Sequence, residues 1–189
     1  MVALPLDSDP APPRAGGDVA PLVWVLHDGK AGMESQALGL AEATGFPFVE
    51  KSLTGQVERG RMAAERRNAA LARITPTADY GALKGVDLIV EAVFEDRKVK
   101  AEATARAQAV MPDIVFGSNT STLPITSLAE TATDAARFIG IHFFSPVERM
   151  MLVEIILGKK TGNAAVATAL DFVRAIGKTP IVVNDTRGF

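Results

Sequence analysis

The stretch that decides the fold is residues 114–156, IVFGSNTSTLPITSLAETATDAARFIGIHFFSPVERMMLVEII. Its first apolar run, at 114–116, is bounded by Gly117 and followed by the polar turn SNTST, a pattern typical of a buried strand in a parallel sheet. A second run, at 138–144, carries His142 near its C-terminal end. Ligands of open α/β sheets bind just outside the carboxyl ends of strands. The turn and the histidine are therefore predicted to share one crevice.

Glu154 follows His142 by twelve residues and is the only acidic residue of the apolar segment MMLVEIIL. A carboxylate is costly to bury among apolar residues unless a partner compensates its charge, and an imidazole that gains a proton is a suitable partner. This pairing would suit general acid–base chemistry. The pattern leaves two other interpretations open. His142 would also fit a packed, hydrogen-bonded core position, and Glu154 an exposed strand edge.

Several motifs occur in a fixed order around this stretch. ARITPTADYGALKGVDLIVEAVFEDRKVK comes first, then SNTSTLPIT, IGIHFFSPVERMMLVEII and GKTPIVVNDTRGF. Together they resemble the NAD-binding domain of the 3-hydroxyacyl-CoA dehydrogenases of fatty-acid β-oxidation, in particular that of the multifunctional bacterial enzymes. The resemblance covers roughly residues 57–189. It implies NAD as cofactor, a 3-hydroxyacyl-CoA substrate, and either a homodimer or a part of a larger multifunctional enzyme.

The resemblance also assigns roles to individual residues. It implies that His142 takes the hydroxyl proton, that Glu154 orients the imidazole, and that Ser121 hydrogen-bonds the substrate oxygen. The cofactor-contacting positions that it implies are Ala92, Glu95, Lys100, Asn119, Ser121 and Ser145. For Glu95 a local role is the alternative, since acidic residues at the start of a helix complement its dipole.

Composition limits other classes of function. The 189 residues are 48% hydrophobic, which is enough for the core of a globular domain. The net charge of -2 gives no general attraction for nucleic acid or anionic membranes, and no apolar run reaches the roughly 18 residues of a membrane span. The absence of cysteine excludes disulfides and is compatible with a cytoplasmic location. With only two histidines, no metal site is predicted.

The N-terminal part follows a different pattern. Residues 1–21 are rich in Pro, Gly and Asp and are predicted to be a disordered leader. Residues 22–56 are predicted to form one βα unit, with a strand at LVWVL and a helix over Glu34–Ala43. Its turn, HDGKAG, lacks the GxGxxG spacing with which dinucleotide-binding folds approach a pyrophosphate.

The segment WVLHDGKAGMESQALGLAEATGFPF instead resembles the N-terminus of the mitochondrial-fission ELM1-like family, which has a presumed glycosyltransferase-like α/β fold. If both resemblances hold, the chain is a hybrid whose first βα unit has been replaced. The resemblances imply weak NAD binding in that case. Two alternatives to an active dehydrogenase follow, a non-catalytic binding fragment and a sugar-nucleotide-binding protein.

The remaining pattern completes the predicted fold. An amphipathic helix is predicted at 57–74, a buried strand at 86–94, a helix from Asn163 to Ile176 that ends at Gly177, and a last strand at PIVVN. Strands that alternate with helices predict an α/β, Rossmann-like domain with a largely parallel sheet and helices on both faces. The fold is expected to be incomplete, since the resembled enzymes continue into a helical domain beyond this point.

Overall fold

The computed structural model describes residues 2–5, 22–26, 54–72, 79–145, 147 and 149–186. The strands in these residues are β1 Val2–Pro5, β2 Leu22–Leu26, β3 Leu88–Glu91, β4 Val115–Ser118, β5 Phe138–Phe143, β6 Leu152–Leu157 and β7 Thr179–Asn184. The helices are α1 Ala64–Ala72, α2 Arg97–Val110, α3 Ile125–Leu128 and α4 Asn163–Ala175.

All these strands belong to one sheet, in which they lie in the order of the chain from β1 to β7. The pairs β2–β3, β3–β4, β4–β5 and β6–β7 are parallel, whereas β1–β2 and β5–β6 are antiparallel. The predicted Rossmann-like, largely parallel sheet is thus confirmed. The carboxyl ends of β3, β4 and β5 meet at one edge, because these strands run in the same direction.

Apolar side chains cover both faces of the sheet. Leu88 and Val90 of β3 belong to the cluster that packs against α4, while Ile89 between them belongs to the cluster that packs against α2. This alternation follows from the two-residue period of a strand. Because both faces are covered, the strands are nearly continuous apolar runs, which is why the sequence revealed them.

The N-terminal expectation was partly wrong. Val2–Pro5, within the segment predicted to be a disordered leader, forms β1 and pairs with β2. Its apolar residues VALP extend the sheet at the edge of β2, where the ladder satisfies backbone groups of both strands. The predicted strand LVWVL is confirmed as β2. The remainder of 1–21 and the helix predicted over Glu34–Ala43 lie outside the described residues.

Two glycines explain where helices end. The helix predicted at 57–74 is in fact two pieces, one at 54–58 and then α1, with Gly60 at φ 66° between them. The N–H of Gly60 donates to the carbonyl of Val57, which closes the first piece. Gly177, at φ 73°, ends α4 as predicted. Left-handed backbone is favourable for glycine because it has no Cβ.

Candidate active site

His142 and Glu154 form a pair across the antiparallel strands β5 and β6. The register places them directly opposite each other, and His142 Nδ1 lies 2.7 Å from Glu154 Oε2. Both side chains are largely buried, with exposed fractions of 11% and 14%. The exposed-edge alternative for Glu154 is therefore wrong, because β6 lies between β5 and β7.

The pair defines the chemistry of the imidazole ring. A carboxylate accepts hydrogen bonds, so Nδ1–H is the donor of this contact in the tautomer that an ionised Glu154 favours. The neutral ring then has its basic lone pair on Nε2. The ring of Phe144 packs against the imidazole, with 4.9 Å between the ring centroids. The arrangement suits a general base whose protonated form the carboxylate stabilises.

The turn SNTST, residues 118–122 and named here the Ser121 turn, connects the end of β4 to the strands on either side. The N–H of Asn119 donates to the carbonyl of Glu91 at 2.7 Å, and its side-chain Oδ1 accepts from the N–H of Phe143 at 3.0 Å. Phe143 is the residue that follows His142. Asn119 therefore fastens the Ser121 turn to the strand that carries the histidine.

The side chain of Asn119 also has one buried donor, Nδ2, without an acceptor. Its Oδ1 is fixed as the acceptor of Phe143, and its Nδ2 has no hydrogen-bond partner although the residue is only 1% exposed. A buried donor without a partner costs free energy, so such a group calls for an explanation. Its place at the carboxyl end of β4 makes a bound molecule a reasonable partner.

Glu95 holds the Ser121 turn from the other side. Its Oε1 accepts from the N–H of Ser121 at 2.9 Å, from the N–H of Thr122 at 3.1 Å and from the hydroxyl of Thr120 at 2.5 Å. Burial raises the pKa of the Glu95 carboxyl, but the Thr120 hydroxyl, the Lys100 ammonium and the two turn N–H groups together hold that pKa below its ordinary value. The carboxylate is therefore an organising centre of the turn.

Glu95 is not the residue that caps α2. The N-cap of α2 is Asp96, whose side chain accepts from the N–H groups of Lys98 and Val99. Glu95 precedes this cap and points its carboxylate to the Ser121 turn instead. The sequence did not separate the two acids, because both stand just before the helix.

Lys100 is buried beneath the turn. Its side chain is 2% exposed, and its ammonium lies 2.7 Å from Glu91 Oε1, 3.2 Å from Glu95 Oε2 and 3.3 Å from the carbonyl of Val93. Its described contacts are thus with the protein itself. The role in cofactor binding that the resemblance implies for Lys100 remains a prediction, and by this geometry it would act through Glu95.

Two functional candidates escaped the sequence analysis. Glu91, at the end of β3, is fully buried in the apolar stretch VDLIVEAVF, a signal of the same kind as Glu154 that could have revealed it. Asp185, just after β7, accepts from the N–H groups of Ile125 and Thr126 at 2.8 and 2.7 Å. It fixes the start of α3, directly after the Ser121 turn. No local pattern marks this long-range contact.

The last two predicted positions are Ala92 and Ser145. Ala92 is fully buried immediately after β3, and Ser145 is exposed shortly after β5. Both lie at the edge of the sheet where the Ser121 turn and His142 are found. Among the described residues, no group of three or more His, Asp and Glu is arranged to hold a metal ion.

The family described as 3-hydroxyacyl-CoA dehydrogenase, NAD binding domain, matches residues 39–186. The chain belongs to this family. This match begins at residue 39, whereas the resemblance seen in the sequence begins at about residue 57. In the part of the chain that the structure describes, no helix is both long and apolar enough to cross a membrane.

Individual relatives agree with this assignment. The fatty acid oxidation complex subunit alpha of Colwellia psychrerythraea is 46% identical over 153 residues, or 80% of this chain and 20% of that protein. Its counterpart in Acinetobacter baylyi is 45% identical over 154 residues, or 81% and 21%. An (S)-3-hydroxybutyryl-CoA dehydrogenase of Ralstonia eutropha has a TM-score of 0.79 and 28% identity, over 88% of this chain and 65% of that one. The dehydrogenase domain described here thus spans about a fifth of the length of the curated relatives.

The described residues fit the nicotinamide side of NAD, the cofactor of this family. Glu95 has a carboxylate that is 26% exposed, Ser145 has an exposed hydroxyl, and Asn119 Nδ2 is a buried donor that lacks an acceptor. In Rossmann folds the pyrophosphate lies at the first βα turn. The residues directly after β2 lie outside the described residues.

The lowered pKa of Glu95 predicts a pH-dependent loosening of the Ser121 turn. A carboxyl with a depressed folded pKa binds fewer protons when folded, so its stabilising contribution is fully present above the ordinary value of 4.5 and is lost as pH falls through the lowered folded pKa. The backbone amide shifts of Ser121 and Thr122, followed by NMR, should therefore titrate below pH 4.5. The same amides in Glu95→Gln should show no such step; an unchanged titration in that variant would disprove the assignment.

Proposed function

We propose that this chain oxidises (S)-3-hydroxyacyl-CoA to 3-ketoacyl-CoA with NAD. The observation that carries the proposal is the 2.7 Å contact between His142 Nδ1 and Glu154 Oε2 at the edge of the sheet where the Ser121 turn begins. Removal of a proton from an alcohol requires a positioned base, and an imidazole oriented by a carboxylate is such a base. The family assignment and the fit of the nicotinamide side support the same reaction.

The residues would divide the work as follows. His142 Nε2 takes the proton of the substrate 3-hydroxyl, and Glu154 stabilises the positive ring that results. The Ser121 hydroxyl donates to the substrate oxygen and keeps it beside the base. When bound, NAD supplies the acceptor for the hydride that leaves C3. Burial of the pair strengthens the attraction between imidazolium and carboxylate, because little water screens it.

The cofactor contacts belong to the same proposal. Glu95, Ser145 and the backbone at Ala92 would line the nicotinamide side, with Lys100 beneath Glu95. Asn119 would fix the turn through Phe143 and direct Nδ2 to the bound cofactor or substrate. The curated relatives are subunits of an oxidation complex by name, so we propose that the domain works within a larger multifunctional enzyme or a dimer, in the cytoplasm.

The direct experiment is an assay of NADH formation from (S)-3-hydroxybutyryl-CoA at saturating NAD. We expect NADH to form with the (S) substrate and not with its (R) enantiomer, because Ser121 and His142 must reach the same oxygen while C3–H faces the cofactor. No turnover of the (S) substrate would refute the proposal in favour of a non-catalytic binding fragment.

NADH is expected to bind weakly. The backbone donors of a glycine-rich turn at a helix N-terminus normally hold the pyrophosphate, and the sequence after β2 reads HDGKAG without the GxGxxG spacing. Titration by calorimetry or by NADH fluorescence should give a dissociation constant well above the low-micromolar range. Tight, low-micromolar binding would show that GKAG replaces the missing turn, and Gly29→Val would then be the informative variant.

A further inference from the structure

Glu91 is a fully buried acid that the proposed reaction does not use. Its Oε1 accepts from the N–H of Val93 at 2.8 Å and from Lys100 Nζ at 2.7 Å, and its Oε2 accepts from the hydroxyl of Ser118 at 2.8 Å. Its backbone carbonyl accepts from the N–H of Asn119. Glu91, at the end of β3, thus binds the Lys100 ammonium below the turn. It also binds Ser118 and Asn119, the two residues at which the turn begins.

The ammonium of Lys100 stands between two carboxylates. It is closer to Glu91, at 2.7 Å, than to Glu95, at 3.2 Å. Both Glu91 and Lys100 are almost completely buried, so their attraction is weakly screened. Glu95 has a larger exposed fraction, 26%, and its carboxylate contacts the same ammonium from the side that faces the crevice. The position of the ammonium is therefore set mainly by Glu91.

The position of Lys100 in turn affects the Ser121 turn. Glu95 uses Oε2 for Lys100 and Oε1 for the N–H groups of Ser121 and Thr122. A shift of the ammonium toward Glu95 would draw the carboxylate away from the turn. Because the bond from Thr122 is already 3.1 Å long, a displacement of a few tenths of an ångström weakens it markedly.

We infer that Glu91 is a positioning residue for the active site, which acts through Lys100 and Glu95 to fix the turn that carries Ser121. The inference rests on the proposed function for the catalytic meaning of that turn. It links the two halves of the site, since Glu95 faces the cofactor while the turn faces the substrate. It also explains why a complete ion pair is buried at the end of a strand of apolar residues.

The test is amide hydrogen exchange of the whole chain with Glu91→Gln, which keeps the shape and removes the charge. Ser121 and Thr122 should exchange about tenfold or more faster than in the wild type, the factor expected when a hydrogen bond to a charged acceptor is lost. The amide of Ala136, which donates to Asp134 at 2.9 Å away from the crevice, should keep its rate. Equal acceleration at all three amides would mean general destabilisation and would overturn the inference.

The double variant Glu91→Gln/Lys100→Met distinguishes an effect of Glu91 that passes through Lys100 from a purely structural effect of Glu91 on the turn. Without the ammonium nothing draws Glu95 from the turn, so Ser121 and Thr122 should regain their slow exchange, which independent structural losses would not produce. If the single variant does not fold, the double variant decides alone: protected turn amides support action through Lys100, and unprotected ones refute it. Because exchange requires no turnover, these outcomes are independent of the NADH assay.

Discussion

Replacing His142 by Ala is expected to lower the rate of NADH formation roughly 10²–10⁴-fold, the usual contribution of a general base. The imidazole is the group that Glu154 orients at 2.7 Å, and no other described residue is placed to do the same at the end of β5. The measurement is the initial rate at saturating NAD and substrate. NADH binding should stay the same, since the variant removes a proton acceptor and not a cofactor contact.

Glu154→Gln and Asp134→Asn are the matched comparisons for that variant. Gln can still accept from Nδ1 but does not stabilise the protonated ring, so its loss of rate should be smaller than that of His142→Ala. Asp134 is a carboxylate that caps a short helix before β5, and its replacement should leave the rate unchanged. A His142→Ala variant with the wild-type rate would remove the basis of the proposed function.

Replacing Lys100 by Met is expected to lower the free energy of unfolding by about 3–5 kcal/mol, the range for breaking a buried ion pair from one side. The physical reason is that Glu91, fully buried, would lose the cation that lies 2.7 Å from its carboxylate. The double variant Glu91→Gln/Lys100→Met should recover much of the loss, because both buried charges are then absent. Urea unfolding of the wild type and of both variants measures these free energies.

The exposed pair Arg137–Asp134 provides the control for the stability prediction. Its side chains are 42% and 48% exposed at a distance of 3.5 Å, so Arg137→Met should cost at most about 1 kcal/mol. A similar small cost for Lys100→Met would show that the buried cluster is better solvated than its geometry indicates. The contrast between the two pairs therefore tests burial and not merely the presence of opposite charges.

The sequence was sufficient for the features that are local. Apolar runs bounded by turns predicted β3, β4, β5 and β6, and the order of the motifs identified the family, which the comparison over 39–186 confirms. His142 and Glu154 were also singled out from their surroundings, since a polar residue in an apolar run is conspicuous, whereas Ser121 was named through the family resemblance. Their catalytic roles remain predictions that the variants above would test.

Only the tertiary structure decided how these residues meet. The antiparallel pairing of β5 with β6 places Glu154 opposite His142, and the register that aligns these two residues is set by the pairing of the strands, which the apolar pattern of either strand does not encode. Lys100 lies near the start of α2, and it is buried because Glu91 at the end of β3 and Glu95 just before the helix compensate its charge. The sequence by itself determined which residues are available, and the packing of the sheet determined which of them are partners, because a charged side chain is buried only where the fold brings a compensating group within hydrogen-bonding distance.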